Sequence, residues 1–140
     1  MKLSITRVPI WAAAIDDQPA ALAQKLEALT SAGASLEFTL ARRAPETPGK
    51  GVMFISPLKG RRQLKAGEEA GFFRANSLHS VRVEAKDQAG ISAAIMRAVA
   101  ELGINLRGFT GTTSGARFIG FLALDDTDDT TRVIRKLRSL

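Results

Sequence analysis

The residues best placed to do chemistry form a short polar turn, Asp87-Gln88-Ala89-Gly90, followed by Ile91 and, further along, Asn105-Leu106. A weaker copy stands upstream as Asp17-Gln18-Pro19-Ala20, with Ser35 in the place of Asn105. Neither run contains a nucleophile beside a base. A turn that opens a helix does, however, present unpaired backbone N–H groups at the positive end of the helix dipole, which together receive a carboxylate. Gly90 lets a ligand approach the backbone closely. Asn105 offers both an amide donor and a carbonyl acceptor at the start of the adjacent strand. An anion receptor and an ammonium acceptor would thus lie side by side. The plainer reading makes Asp17 and Asp87 helix caps, Gly90 and Gly103 backbone necessities, and Asn105 a helix-end hydrogen-bonding group.

The elements that must position this turn follow from hydrophobic spacing. Val81, Val83 and Ala85 alternate along a strand; Ile91, Ile95, Ala98, Val99 and Leu102 recur with the 3.6-residue period of a helix face. Gly103 ends that helix, and Ile104 and Leu106 begin a second strand. At an offset of 70 residues, Asp17, Gln18, Ala23, Ala28, Gly33 and Leu36 recur as Asp87, Gln88, Ala93, Ala98, Gly103 and Leu106, an internal repeat.

Around the upstream turn, Trp11 to Ile15 reads as a buried strand and Pro19 stands near the first helical position. Leu22, Leu26 and Leu29 form the inward face of the helix, and Leu36, Phe38 and Leu40 point inward from the next strand. Residues 42–50, with two prolines and a glycine, form a hairpin loop; Val52 to Ser56 returns and Arg61 to Ala70 makes a short helix. In the second copy Thr112 to Ala116 is a tight turn, Phe118 to Leu124 returns, and Asp125 to Asp129 places negative charge at the start of a last helix, where its dipole favours it. Trp11 and the phenylalanines are assigned to the core.

Each unit therefore reads β-β-α-β-β-α, a circularly shifted βαββαβ. The expected fold class is α+β, two ferredoxin-like modules at 1–70 and 71–140, each an antiparallel sheet with helices on one face. The shift leaves the second module short of its last strand. Residues 2–7 are expected to supply it, and residues 72–76 to complete the first module.

The composition excludes several functions. The chain has no cysteine, so thiol nucleophiles, disulfides and zinc-thiolate sites are ruled out, and a reducing compartment fits. Its single histidine, His79, has no partner constellation and reads as a strand residue. No metal cluster, nucleophile–base pair or phosphate loop is recognisable, so the expectation is a non-catalytic protein without cofactor or metal. The longest apolar run, Val8 to Ile15, is far short of the roughly 20 residues that span a bilayer, and a cytoplasmic location is expected. The net charge of +6 permits nucleic acid as a partner, but its excess is spread evenly over the two halves.

Asp87-Gln-Ala-Gly90, a helix, and Gly103-Ile-Asn-Leu106 resemble the ACT-domain pattern D-x-P-G…G-I-N-I. Asp17-Gln-Pro-Ala20…Gly33-Ala-Ser-Leu36 is a degraded version, so that the whole chain is similar to stand-alone tandem ACT proteins. The resemblance implies a non-catalytic sensor that binds an amino acid or similar small carboxylate at a module or subunit interface. Asp87, Gln88, Ala89, Gly90, Ile91, Asn105 and Leu106 would form the site, and Asp17, Gln18, Pro19, Ala20 and Ser35 its weaker counterpart. The chain departs from the pattern where Ala89 replaces the family's proline, Ala20 its glycine and Ser35 its asparagine. No room remains for an enzyme in the same chain, so a regulated enzyme would be a separate partner, and pairing of edge strands makes a homodimer the expected assembly.

Two other readings are open. An RNA-binding module of the same sandwich would need exposed aromatics on its central strands, for which Trp11, Phe38, Phe118 and Phe121 are the candidates. An interaction module with a decayed ligand site would dimerise and ignore small molecules.

Overall fold

The computed structural model describes residues 1–140. Its contacts divide the chain into two compact units, Pro9–Ala75 and a second made of Met1–Val8 with Asn76–Leu140.

In the unit Pro9–Ala75, β2 (Trp11–Asp16) leads through a turn to α1 (Ala21–Ser31). Then follow β3 (Phe38–Arg43), β4 (Lys50–Ser56), α2 (Gly60–Glu69) and the two-residue β5 (Phe73–Arg74). The antiparallel sheet runs β3-β4-β2-β5. Ala13, Ile15, Met53 and Ile55 on one face pack with Leu29, Leu58 and Phe72 as the core. Gly67 of α2 lies so close that an added Cβ would stand 2.6 Å from Leu58. The glycine that intrinsic propensity would count against this helix is there for packing.

The second unit repeats this plan with β6 (His79–Lys86), α3 (Ile91–Glu101), β7 (Gly108–Ser114), β8 (Arg117–Leu124) and α4 (Thr127–Arg138). Its fourth strand is β1 (Ser4–Val8), which pairs with β6 from Ser4↔Glu84 to Val8↔Ser80, giving the order β1-β6-β8-β7. This is the strand order of a ferredoxin-like sandwich with the last strand taken from the start of the chain. Val81, Val83, Phe118, Leu122 and Leu124 from the sheet meet Ile91, Ile95 and Val99 of α3 and Val133 and Leu137 of α4. Each such side chain, fully buried, stabilises the fold by about 1.5–3 kcal/mol.

Helix α4 begins as its acidic prelude requires. Asp126 accepts a hydrogen bond from the Asp129 N–H at 2.7 Å, Asp128 and Asp129 sit in the first turn, and Arg135, Lys136 and Arg138 occupy the last.

Several sequence expectations need correction. Phe38 and Leu40 do not point at the helices. The register sets Thr39 and Ala41 opposite Ile55 and Met53, so Phe38 and Leu40 share the other sheet face with Ser56 and Phe54. The alternation was real, but alternation alone carries no information about which face the helices cover. Leu22 is 41% exposed rather than inward, and Leu29 carries the burial of α1. Phe73 is 61% exposed and therefore no core residue; its neighbour Phe72 fills that place. No helix is long and apolar enough to cross a membrane.

Candidate functional site

The turn between β6 and α3 does not place Asp87 at the helix cap. The N-cap is Gly90, in the left-handed region at φ 83, and no side chain caps the helix. The same holds at the first module, where the N-cap is Ala20 at φ 70 and Asp17 caps nothing. The cause is an extra turn ahead of each helix, in which the Gln88 carbonyl accepts from Ile91 N–H at 3.2 Å and the Gln18 carbonyl from Ala21 N–H at 3.3 Å. Each aspartate is left too far upstream to reach the N2 or N3 amide that a capping side chain serves. Pro19 lies in that turn, ahead of the helix.

This turn faces the tip of the neighbouring hairpin. β6 and β8 pair as far as Lys86↔Arg117, and the Asp87 N–H donates to the Ala116 carbonyl at 2.8 Å. The hairpin itself closes through two residues, with Gly115 at φ 59 in the first, as tight hairpins require. The resulting cavity of 340 Å³ is lined by Asp87, Gln88, Ala89, Gly90, Ile91, Ser92 and Ala93 from the turn and helix, and by Gly111, Thr112, Thr113 and Phe118 from the hairpin. Ile91 and Phe118 are its apolar floor, both buried. A Cβ at Gly111 or Gly120 would come within 3.1 Å of the Phe118 ring, so these two glycines make room for the floor. An added Cβ on Gly90 would meet nothing within 4 Å; what demands glycine there is its positive φ.

The donors needed by an anion are present. No carbonyl accepts from the Ser92 and Ala93 N–H groups; the next amide, Ala94, donates to the Gly90 carbonyl at 2.9 Å. Thr113, which pairs with Phe118 and so shares its face of the sheet, stands on the opposite wall with its hydroxyl. Asp87, exposed, is engaged in no ion pair. The cavity lining therefore combines free helix-start amides and an unneutralised carboxylate from the turn with a hydroxyl from the hairpin, a set of groups suited to a zwitterion.

Asn105 and Leu106 are not brought to this turn. They follow α3, whose 11 residues separate its two ends by about 16 Å at 1.5 Å per residue. Asn105 is exposed and Leu106 packs against the core at the far end. Ser35 has the corresponding position after α1. Conversely, Ser92, Ala93, Gly111 and Thr113 line the cavity without a sequence signal that marks them, since a hairpin reads in sequence only as a connection. Topology could have found them: in a βαββαβ sheet the second hairpin returns beside the first strand's end.

The first module's turn is smaller and occupied by the chain itself. Its cavity of 160 Å³ is lined by Ile15, Asp16, Asp17, Gln18, Leu22, Ala41, Arg42, Arg43 and Gly51. Arg43 Nε donates to Asp17 Oδ2 at 2.8 Å across it, and Lys50 binds Asp16. The Lys50 hydrogen bond, and then its charge, hold the Asp16 carboxyl below the ordinary aspartate range. Arg43 pairs with Gly51 opposite Ile15; at the same register position in the second module, Thr113 pairs with Phe118 opposite Ala85.

Residues 79–140 match the sequence model of the ACT domain family. No curated protein sequence matches the chain significantly. Among solved structures it is similar in fold to a protein of Bacteroides thetaiotaomicron, with a TM-score of 0.76 at 10% identity over 96% of this chain and 89% of the other. It is also similar to the ligand-free regulatory subunit of aspartate kinase from Thermus thermophilus, at TM-score 0.67 and 16% identity over 99% and 96% of the two chains. The regulatory subunit of aspartate kinase from Thermus flavus gives 0.65 and 17% over the same shares.

Proposed function

We propose that this protein is a non-catalytic regulatory module that senses a free amino acid or a similar small zwitterion at the β6–α3 turn, and passes the signal to a separate enzyme. The observation that carries the reading is the open, bipolar cavity at that turn. Ser92 and Ala93 amides receive the ligand carboxylate at the positive helix end, and Asp87 accepts its ammonium. The Thr113 hydroxyl fixes its orientation, and Ile91 and Phe118 meet its side chain. The cavity's 340 Å³ falls at the small end of the roughly 300–1,000 Å³ of ligand pockets, and the 160 Å³ of the first turn falls below it. The first module is then scaffold, with one ligand per chain.

Two further facts support this reading. Residues 79–140 match the ACT domain model, and two of the similar folds are regulatory subunits of aspartate kinase. Regulation requires that ligand bind two states of the assembly with different affinity, and an enzyme partner and a homodimer provide the states to be shifted. The test is a thermal-shift screen of the twenty amino acids followed by isothermal titration of those that stabilise. One or a few should bind with a stoichiometry of one per chain. Stabilisation by none of them would overturn the proposal.

A further inference from the structure

A second candidate site lies between the edge strand β1 and helix α4, remote in composition from the β6–α3 turn. It is a cleft of 610 Å³ lined by Ile5, Thr6, Arg7, Thr131, Ile134, Arg135 and Arg138. Three guanidinium groups converge on it, and no carboxylate is among the lining residues.

Helix α4 sorts its own cations. Arg132 pairs with Asp129 at 3.4 Å and also donates to the Leu102 carbonyl, and Lys136 pairs with Glu101 at 2.8 Å. Arg135 and Arg138, which turn to the cleft, pair with no acid; nor does Arg7. A preference for cations at the C-terminal end of a helix explains two of the three arginines. It does not explain Arg7, which comes from the sheet. Arg7 is held across the cleft by a 2.8 Å hydrogen bond from its guanidinium to the Thr131 hydroxyl, which in turn donates to the Thr127 carbonyl. Like charges gathered without a counter-ion repel, and an anion between them removes that cost.

We propose that this cleft binds a small oligophosphate anion. Planar guanidinium groups match phosphate oxygens in bidentate fashion, and three of them suit a ligand with more than one phosphate group. Ile5 and Ile134, both buried, form an apolar base. A discrete small ligand fits better than a nucleic-acid strand. Elsewhere on this unit Arg82, Arg107, Arg117, Arg132 and Lys136 all face carboxylates, which breaks up any basic track a polymer would follow.

The proposal stands apart from the amino-acid reading, and its test keeps the two separate. The full chain is titrated with inorganic triphosphate at low ionic strength by isothermal calorimetry. One site per chain is expected, weakened at least tenfold in the R135Q/R138Q double variant and in Arg7→Gln. Affinity should be unchanged in Arg61→Gln, which removes a charge from the other unit, and in Thr113→Arg, which alters the β6–α3 turn. All the substituted arginines are exposed, so their replacement leaves the core intact. Absence of binding at millimolar triphosphate would overturn the proposal. So would retention of affinity in both cleft variants, or a loss in Arg61→Gln equal to that in Arg7→Gln. Tight binding of single-stranded RNA with triphosphate silent would replace the small anion by a polymer and overturn it equally.

Discussion

The two helix-opening turns share one backbone frame and differ in what stands inside it. Both N-cap residues adopt the left-handed conformation, Ala20 at φ 70 and Gly90 at φ 83. Both turns hold the sequence Asp-Gln two residues ahead of that position. In the first, Arg43 reaches in from the adjacent strand and neutralises Asp17; in the second, Thr113 stands at Arg43's register position and Asp87 is left without a cation. A repeated element thus keeps its fold through backbone geometry, while one side chain from a neighbouring strand decides whether its turn stays open. The identity of the turn residues alone does not.

The backbone half of this comparison is broken most strongly at Gly90. Replacing it by valine forces a branched side chain into the left-handed region and should destabilise the fold by about 2 kcal/mol in chemical denaturation. Ala20 already bears a milder form of that strain. Ala20→Gly should therefore stabilise, by about 0.5 kcal/mol, because relief of strain is partly offset by the flexibility glycine adds to the unfolded chain. A destabilised Ala20→Gly would show that the two turns are not equivalent.

The side-chain half is tested by exchange. Thr113→Arg gives the second turn the first turn's occupant, and amino-acid affinity should fall at least tenfold, about 1.4 kcal/mol. The reciprocal Arg43→Thr removes a solvent-exposed pair and should change stability by less than about 0.5 kcal/mol, measured by the same denaturation.

The smallest expected difference concerns acid. In the second module hydrogen bonds from Arg82, and then from Arg117, hold the Glu84 carboxyl below the ordinary glutamate range; Lys136 does the same for Glu101. A carboxylate with a depressed folded-state pKa stabilises the fold above its unfolded value, and this contribution is lost as pH falls through the folded value. Stability should decline below about pH 4, and Glu84→Gln should flatten that decline in a pH series of thermal melts. The first module has its counterpart in Asp16 with Lys50, so Asp16→Asn should have the same sign of effect.

The fold was legible because its signals are redundant. The period of Ile91, Ile95, Ala98 and Val99, the glycine stop, and a second copy of the same order all require one sandwich. Placement of Phe38 and Leu40 was not legible, since both faces of β4 carry apolar residues: Met53 and Ile55 on one, Val52 and Phe54 on the other. At the site, the turn itself could be read from Asp87 to Ile91. Its other wall could not, because Thr113 gains its meaning from the registers Ala85↔Phe118 and Thr113↔Phe118, the first a long-range pairing that no local pattern encodes. Asn105 stands away from the turn for the complementary reason. Proximity in a motif is not proximity in space when a whole helix lies between.

The most direct test of the account is a titration followed by two-dimensional amide NMR, using the amino acid that stabilises the protein most in the thermal-shift screen. The amides of Gln88 to Ala93 and of Gly111 to Thr113 should move together and saturate at one ligand per chain, while those of Asp17 to Leu22 stay in place. Shifts centred on the first turn, or on Asn105 with the β6–α3 turn silent, would contradict it.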